Sequence, residues 1–343
     1  MKQRDVEAVL VTSPYNLRYI TEFTGTAGLA VVTQQQAVFI TDFRYTEQAG
    51  EQVKEFKVIQ AEKNLMDEVI KTVTSMNIQT LAFEQDYMTY ASATQYKEKL
   101  NCEFEPISNL IEKIRMVKTP EEVAVLKDAA KIADDAFEHI CRFIRPGLTE
   151  LDVSNELEFF MRKQGATSSS FDIIVASGLR SALPHGVATD KIIETGDMIT
   201  LDFGALYNGY ISDITRTVAV GEPTEQLKEI YDIVLKAQEL GVEKIGPGMS
   251  GIEADAIARD YIKSKGYGEA FGHSTGHGIG LEVHESPGLS FKSETILEPG
   301  MAVTVEPGIY LQGIGGVRIE DDILITESGN ERLTNSTKEL RIL

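Results

Sequence analysis

The sequence predicts an α/β (α+β) chain of two domains, and three observations lead there. Its 343 residues are too many for one small core. Strand-like and helix-like segments alternate over the first third, the pattern of a domain with its own sheet. The remainder carries a faint internal repeat, the pattern of a second domain built from two related halves.

In order along the chain, Ala8–Val11, Leu29–Thr33 and Ala37–Thr41 are rich in Val, Ile and Phe and read as strands. Residues 64–76 and 89–100 read as helices, with Leu81–Glu84 as a further strand. A boundary falls near residues 112–118, which divides the chain into domains of residues 1–113 and 114–343. Thr119-Pro120-Glu121-Glu122 is a strong helix start: an N-cap, a proline in the first turn, and carboxylates at the positive end of the dipole. The helix continues through Val123, Leu126, Ala130, Phe137 and Ile140 to Arg145-Pro146-Gly147. The repeat lies beyond it. Pro146-Gly147-Leu148-Thr149 and the following acids resemble Pro247-Gly248-Met249-Ser250 and its acids, each a capping box, each helix closed by a glycine, Gly165 or Gly266. The offset is 101 residues at both cap and closing glycine. A site at the junction of two such halves draws ligands from both.

Composition narrows the function. Against 33 basic side chains stand 53 acidic ones, a formal charge of −20, which repels nucleic acid and anionic lipid. No apolar run is long enough to span a bilayer, and no signal-peptide pattern stands at the N-terminus. The two cysteines, Cys102 and Cys141, form no disulfide framework. These features point to a cytoplasmic protein with no nucleic-acid or membrane partner.

Three constellations carry chemistry. In Leu201-Asp202-Phe203-Gly204 through Ser212-Asp213, Asn208-Gly209 signals a tight hairpin. Pairing Tyr207 with Tyr210 puts Gly204 opposite Asp213 and Asp202 diagonal to it, so two carboxylates converge. The alternative is two solvated aspartates on a polar face. The second constellation, residues 273–285, holds His273, His277 and His284 in glycine-rich chain, with His185 in Leu183-Pro184-His185-Gly186. Histidine is the usual metal ligand and proton shuttle near neutral pH. His139, on the long helix, reads as structural. The third places Glu306 at the end of an apolar strand and Arg318 and Glu320 on the next; the alternative for Glu320 is a plain ion pair with Arg318. Asp202, Asp213, His277, Glu306 and Glu320 together offer four negative charges, which two divalent ions neutralise. One nitrogen among many oxygens favours Mn²⁺, with Co²⁺, Fe²⁺ or Zn²⁺ as alternatives. Such a pair of ions predicts hydrolysis.

These stretches resemble the pita-bread metallopeptidases, in the proline-specific branch that contains aminopeptidase P and prolidase. The match takes in residues 273–285, Glu306-Pro307-Gly308 and Gly316-Val317-Arg318-Ile319-Glu320. The resemblance implies a creatinase-like N-terminal domain, a pita-bread catalytic domain with a pseudo-twofold repeat, and a substrate with proline at its second position. It implies that Asp202 holds one metal and meets the substrate amine, and that Asp213 and Glu320 bridge both metals. His277 and Glu306 complete the other site, Glu306 also assists proton transfer, and a metal-bridging hydroxide attacks the carbonyl before proline. By the same resemblance His185 and His284 stabilise the intermediate and protonate the leaving nitrogen, His273 lines the proline pocket, and Arg318 orients carboxylates. It also implies a homodimer.

Dipeptide-specific members often carry an arginine shortly after the histidine equivalent to His284. Here the chain reads Glu285-Ser286-Pro287-Gly288. That departure leans the reading toward aminopeptidase P, with prolidase as the alternative and Arg44, Arg180 or Lys292 as substitute cations. Methionine aminopeptidase lacks the large first domain, creatinase lacks the acids, and a non-catalytic pita-bread module would have lost ligands that are all present here.

Overall fold

The computed structural model describes residues 6–343. The chain divides into two compact units between Ile114 and Arg115.

The first unit is one six-stranded sheet. Its elements are β1 (Ala8–Val11), α1 (Pro14–Thr21), β2 (Gly28–Thr33), β3 (Ala37–Thr41), α2 (Thr46–Gln52), β4 (Lys57–Gln60), α3 (Leu65–Ser75), β5 (Thr80–Glu84), α4 (Tyr90–Lys99) and β6 (Glu103–Ile107). A short α5 (Glu112–Arg115) follows. The strand order is β4-β3-β2-β1-β5-β6, with β1, β2 and β3 antiparallel in succession and the outer pairs parallel. β1 is buried on both faces: Val9 and Val11 pack with Leu17 and Ala49, whereas Ala8 and Leu10 pack with Val69, Val73 and Tyr96. Period-two alternation therefore feeds two cores, each covered by helices.

The strands and helices expected at β1, β2, β3, β5, α3 and α4 are present to within a residue or two. The elements α1, α2, β4 and β6 were not anticipated. α1 has a legible start, Ser13 as N-cap accepting from the Asn16 amide with Pro14 behind it, but only eight residues in which to show a period. β4 has four residues, and Pro106 interrupts β6, which lies at the sheet edge where proline is tolerated.

The second unit opens with α6 (Pro120–Phe143), α7 (Glu150–Lys163), β7 (Ser168–Ser169), β8 (Ile174–Ser177), β9 (Met198–Phe203), β10 (Ala205–Tyr207), β11 (Tyr210–Ile211) and β12 (Ile214–Ala219). It continues with α8 (Glu225–Lys244), α9 (Gly251–Ser264), β13 (Gly276–Gly278), β14 (Glu285–Leu289), β15 (Ala302–Val305), β16 (Gly308–Leu311), β17 (Gly315–Arg318), β18 (Asp321–Thr326) and β19 (Gly329–Arg332). The repeat is real at the level of backbone. Thr149 and Ser250 both cap their helices in full capping boxes, worth about 1 kcal/mol each. Gly147 and Gly248 turn with positive φ, and so do the closing Gly165 and Gly266. Each turn is tied down alike: the Gly147 and Gly248 amides donate to the Ile193 and Leu297 carbonyls.

Each half contributes one bent hairpin. In the first, β9 pairs with β12 and β10 with β11 in the register expected from Asn208-Gly209. Tyr207 faces Tyr210, and Asp202 faces Thr215, one step along from Asp213. The ladder bends at Gly204, where a Cβ would lie 1.7 Å from the Ser212 carbonyl oxygen. In the second, Val305 faces Asp321 and Gly308 faces Arg318. That register brings Glu306 and Glu320 opposite one another at the break between the two ladders.

A buried charge network clamps the hairpins from behind. Arg216 on β12 donates to the carbonyls of Thr215, Glu320, Ser336 and Thr337 and to the Asp321 carboxylate. Asp321 also accepts from Gln238, Thr334 and Lys338. Burial opposes its charge, but Arg216 and Lys338 hold its carboxyl below the usual range. Asp321→Ala leaves the buried Arg216 and the half-buried Lys338 without their anion and is expected to cost about 3–5 kcal/mol, read as a lower urea midpoint. Because the carboxyl is depressed on folding, its contribution is complete above the unfolded value of about 4 and lost as pH falls below it.

Among the described residues no helix is long and apolar enough to cross a membrane. Cys102 and Cys141 are both free.

Candidate active site

The two hairpins deliver their acids to one place. Asp202 and Asp213 come from the first bend, Glu306 and Glu320 from the second, and His277 from β13 beside it. His277 Nε2 lies 3.8 Å from an Asp213 oxygen and 3.4 Å from a Glu306 oxygen. Ligand atoms of Asp213, His277 and Glu320 all lie within 4.8 Å of one another, a geometry that can hold a metal ion.

The donor atoms are prepared for a cation. His277 Nδ1 is 3.1 Å from the Gly278 carbonyl, so it carries the proton and the Nε2 lone pair faces the acids. Burial brings His277 down to about 4, with His284 beside it adding to the effect, so the ring is neutral at physiological pH. Thr304 Oγ1 receives the His277 amide and donates to Glu306. Thr215 donates to Glu320 at 2.6 Å, and the Asp213 amide donates to Asp322 at 2.9 Å. One carboxylate oxygen each of Asp202 and Asp213 is buried with no hydrogen-bond partner. Burial and the neighbouring carboxylates push Asp213 and Glu320 well above the ordinary range, and Glu306 is raised to about 8, chiefly by burial. Orphaned oxygens and mutually repelling acids fit divalent cations and fit nothing else among the neighbouring side chains.

Among the described residues, Arg318 is the cation that pairs with these acids. It donates to Asp202, and also to Thr215, to the Pro184 carbonyl and to the Tyr310 hydroxyl. The plain Arg318–Glu320 pair considered above is therefore not what forms: Arg318 orients Asp202, and Glu320 is held by Thr215. Tyr310 in turn lies 2.8 Å from His273 Nε2. His273 Nδ1 faces the Ser274 carbonyl at 2.8 Å, so the Tyr310 hydroxyl donates to Nε2. Burial brings His273 to about 4, with Arg318 assisting, so it too is neutral.

The acids form the floor of a cavity of about 660 Å³. His185, His273 and His284 line its walls, with Phe171, Ile174, Pro184, Val187 and Val283 as apolar surface. The His284 ring packs edge-on against His277 at 4.4 Å. The structure thus assembles all nine nominated residues, and it leaves out the fifth histidine. His139 bonds Glu156 and stacks on Phe160, both on α7.

Several supporting residues escaped the sequence reading. Glu150, fully buried at the first position of α7, accepts from Ser177, Thr189 and Arg180 and so holds the segment that carries His185. On α9, Asp255 accepts from the Thr275 amide and from Arg259, while Arg259 donates to the Phe271 and His273 carbonyls. Tyr310, which links Arg318 to His273, was given no role from the sequence. The signal for Glu150 was present as the first acid after the Thr149 cap, but an acid at a helix N-terminus has a sufficient explanation in the dipole.

The chain that brings these four carboxylates and one imidazole together is similar to known proteins. Residues 124–327 match metallopeptidase family M24. The chain belongs to that family. Residues 1–117 match the creatinase/prolidase N-terminal domain. Among solved structures, an Xaa-Pro dipeptidase from Bacillus anthracis is 63% identical with a TM-score of 0.98, covering 100% of this chain and 96% of that one. An X-Pro aminopeptidase from Thermotoga maritima is 40% identical with a TM-score of 0.93, covering 98% of each. An Xaa-Pro dipeptidase from Pyrococcus furiosus is 44% identical over 99% of this chain and 97% of its own length. As an M24 peptidase the protein is a metal-dependent hydrolase with a creatinase-type first domain and a pita-bread catalytic domain. The lean toward aminopeptidase P gives way here: the dipeptidase relatives reach the higher identity, although the arginine after His284 is missing. A missing motif residue says only that its charge is not supplied from that position.

Proposed function

We propose that this M24 peptidase is an Xaa-Pro dipeptidase, a prolidase. The observation that carries the chemistry is the meeting of Asp202, Asp213, His277, Glu306 and Glu320 on the floor of a cavity walled by His185, His273 and His284. The choice of dipeptide rests on the 63% identity and near-complete superposition with the dipeptidase from Bacillus anthracis.

Asp202, Asp213, His277, Glu306 and Glu320 would hold two divalent ions, with Mn²⁺ favoured by the oxygen-rich donor set. Those ions supply charge neutralisation, Lewis acidity and water activation. The chain supplies the rest. Asp202, steadied by Arg318, accepts from the substrate's free amine. Glu306, beside His277, takes up and returns a proton. His284 and His185 stand on the cavity wall, where they stabilise charge on the reacting carbonyl and deliver a proton to the proline nitrogen, which leaves poorly as an anion. Neutral His273, fixed by Tyr310, flanks the proline ring together with the apolar wall.

The experiment compares three substrates with Mn²⁺ added: an Xaa-Pro dipeptide, its C-terminal amide and an Xaa-Pro-Yaa tripeptide. The dipeptide is expected to give the highest kcat/KM and the amide a loss of about 10-fold or more, the value of one charge-assisted contact. A tripeptide cleaved as well as the dipeptide returns the assignment to aminopeptidase P, the reading favoured by the absent arginine and by the relative from Thermotoga maritima. Of the substitute cations, Arg180 is held by Glu150 and the Val187 carbonyl, and Arg44 by Asp42. The acidic surface suits a cytoplasmic enzyme, and family resemblance favours a homodimer, which sedimentation tests.

A further inference from the structure

Behind the cavity wall lies a buried charge cluster that touches no part of the cavity itself. Arg115 and Lys118 stand on the segment just before α6, with side chains 3% and 1% exposed. That segment is pinned to the catalytic sheet: the Lys118 amide donates to the Gly300 carbonyl at 2.8 Å, and Val117 bridges to Met301 at the foot of β15. Both cations point at one carboxylate, that of Glu285, which is 6% exposed. Arg115 donates to Oε1 of Glu285 and, at 2.8 Å, to Glu282. Lys118 lies 3.3 Å from Oε2 of Glu285. The Glu282 amide donates to the same carboxylate at 3.0 Å, which closes the turn 282–285 on itself.

Glycine makes room for this arrangement. A Cβ on Gly280 would lie 2.7 Å from Oε2 of Glu285, so the carboxylate occupies space that any other residue would fill. One residue before Glu285 stands His284, on the cavity wall. No hydrogen bond from another described residue holds the His284 ring. The ring packs edge-on against the His277 ring at 4.4 Å. The direction of the imidazole therefore follows the backbone of residues 282–285, which is held by the Gly280 amide donating to the Glu282 carbonyl at 3.2 Å, by the pairing of Glu285 with Gly278, and by the Glu285 carboxylate that receives the Glu282 amide.

A buried ion pair rarely stabilises more than a well-packed apolar core, and its best-attested use is to select one geometry among several. Two cations converging on one carboxylate do this strongly, because only one placement of Glu285 satisfies both. We propose that Arg115, Lys118 and Glu285 form a positioning device for His284, holding its imidazole over His277 without any of the three touching substrate. The inference rests on the reading of His284 as a group that acts on the reacting peptide bond.

The test is Glu285→Gln, which keeps the shape and removes the charge. With only five histidines in the chain, imidazole resonances can be assigned by single substitution. In metal-free Glu285→Gln the His284 resonances are expected to move while those of His139 and His185 stay in place. Once loaded, the variant is expected to bind as much Mn²⁺ as the parent, to lose about 10–100-fold in kcat, and to change KM by less than about threefold. In a His284→Ala background the same change is expected to add less than about twofold, because its route of action is already gone. Arg115→Lys, which keeps the charge and loses the fork, carries the same expectations and serves if Glu285→Gln does not fold. An unmoved His284 resonance, a parental kcat, a loss that tracks missing metal, or a full further loss on top of His284→Ala overturns the proposal. Full activity in His284→Ala with a moved resonance in Glu285→Gln overturns instead the role given to His284 and leaves the positioning intact.

Discussion

Asp213→Asn and Glu320→Gln are each expected to lower kcat/KM by at least about 10³-fold while leaving the metal-free protein as stable as the parent or more so. The two effects have one cause. Asp213 and Glu320 lie buried among like charges, and one oxygen of Asp213 has no partner at all. Without metal, their ionisation is a cost that the fold bears, so a neutral amide of the same shape relieves repulsion. With metal, the same charge is what binds and neutralises, and its loss removes several kcal/mol of transition-state stabilisation, which at 1.36 kcal/mol per decade reaches about 10³-fold. Metal content by elemental analysis, melting of the metal-free protein and kcat/KM on an Xaa-Pro dipeptide check the three parts. A variant that is both less stable without metal and fully active with it would show that these carboxylates serve the fold and not the chemistry.

The second large effect is the dependence of metal-free stability on pH. Glu306 is raised to about 8 by burial, and Asp213 and Glu320 are raised as well. A carboxyl raised on folding binds its proton more tightly in the native state. Its stabilisation is therefore complete below the unfolded value of about 4.5 and is lost as pH climbs through the folded one. Stripped protein is expected to lose stability steadily between about pH 4.5 and 8, whereas metal-loaded protein is not. At neutral pH, saturating Mn²⁺ at about 1,000 times its Kd adds about 4 kcal/mol. Binding must also release protons, because ligands have to be deprotonated. Calorimetry in buffers of different ionisation enthalpy measures that release. A metal-free protein whose melting temperature is flat across this range, together with metal uptake that releases no protons, would contradict the geometry of shared acids.

Much of the site was legible because its parts are local. Asn208-Gly209 selects a two-residue turn, the turn sets the register, and the register places Asp202 and Asp213 one step apart. Glu306 was legible as the end of an apolar strand, but Glu320, expected on the next strand, lies at the break between β17 and β18, with the β16–β17 hairpin between the two acids. The capping boxes at Thr149 and Ser250 marked the repeat because side chain-to-backbone bonds span only three residues. Partners chosen across the fold were not legible. Arg318 is two residues from Glu320 and yet pairs with Asp202, more than a hundred residues away in sequence. Glu285 was noted only as part of the matching stretch 273–285 and of a following stretch without arginine, and its tie to Arg115 spans 170 residues. Charge type and spacing say that a group needs a partner, not which one it finds.

By itself the sequence determined the class of chemistry: the number and kind of donor atoms, the two hairpins that present them, and the histidines available to move protons. Local rules of turn, cap and alternation act over a few residues, so a linear reading can apply them. Tertiary structure alone decided the direction of each side chain: which ring nitrogen faces the acids, which carboxylate Arg318 steadies, and which buried cations hold the turn beneath His284. Those choices depend on burial, where an unpaired charge costs several kcal/mol, and burial is settled only when distant segments pack together.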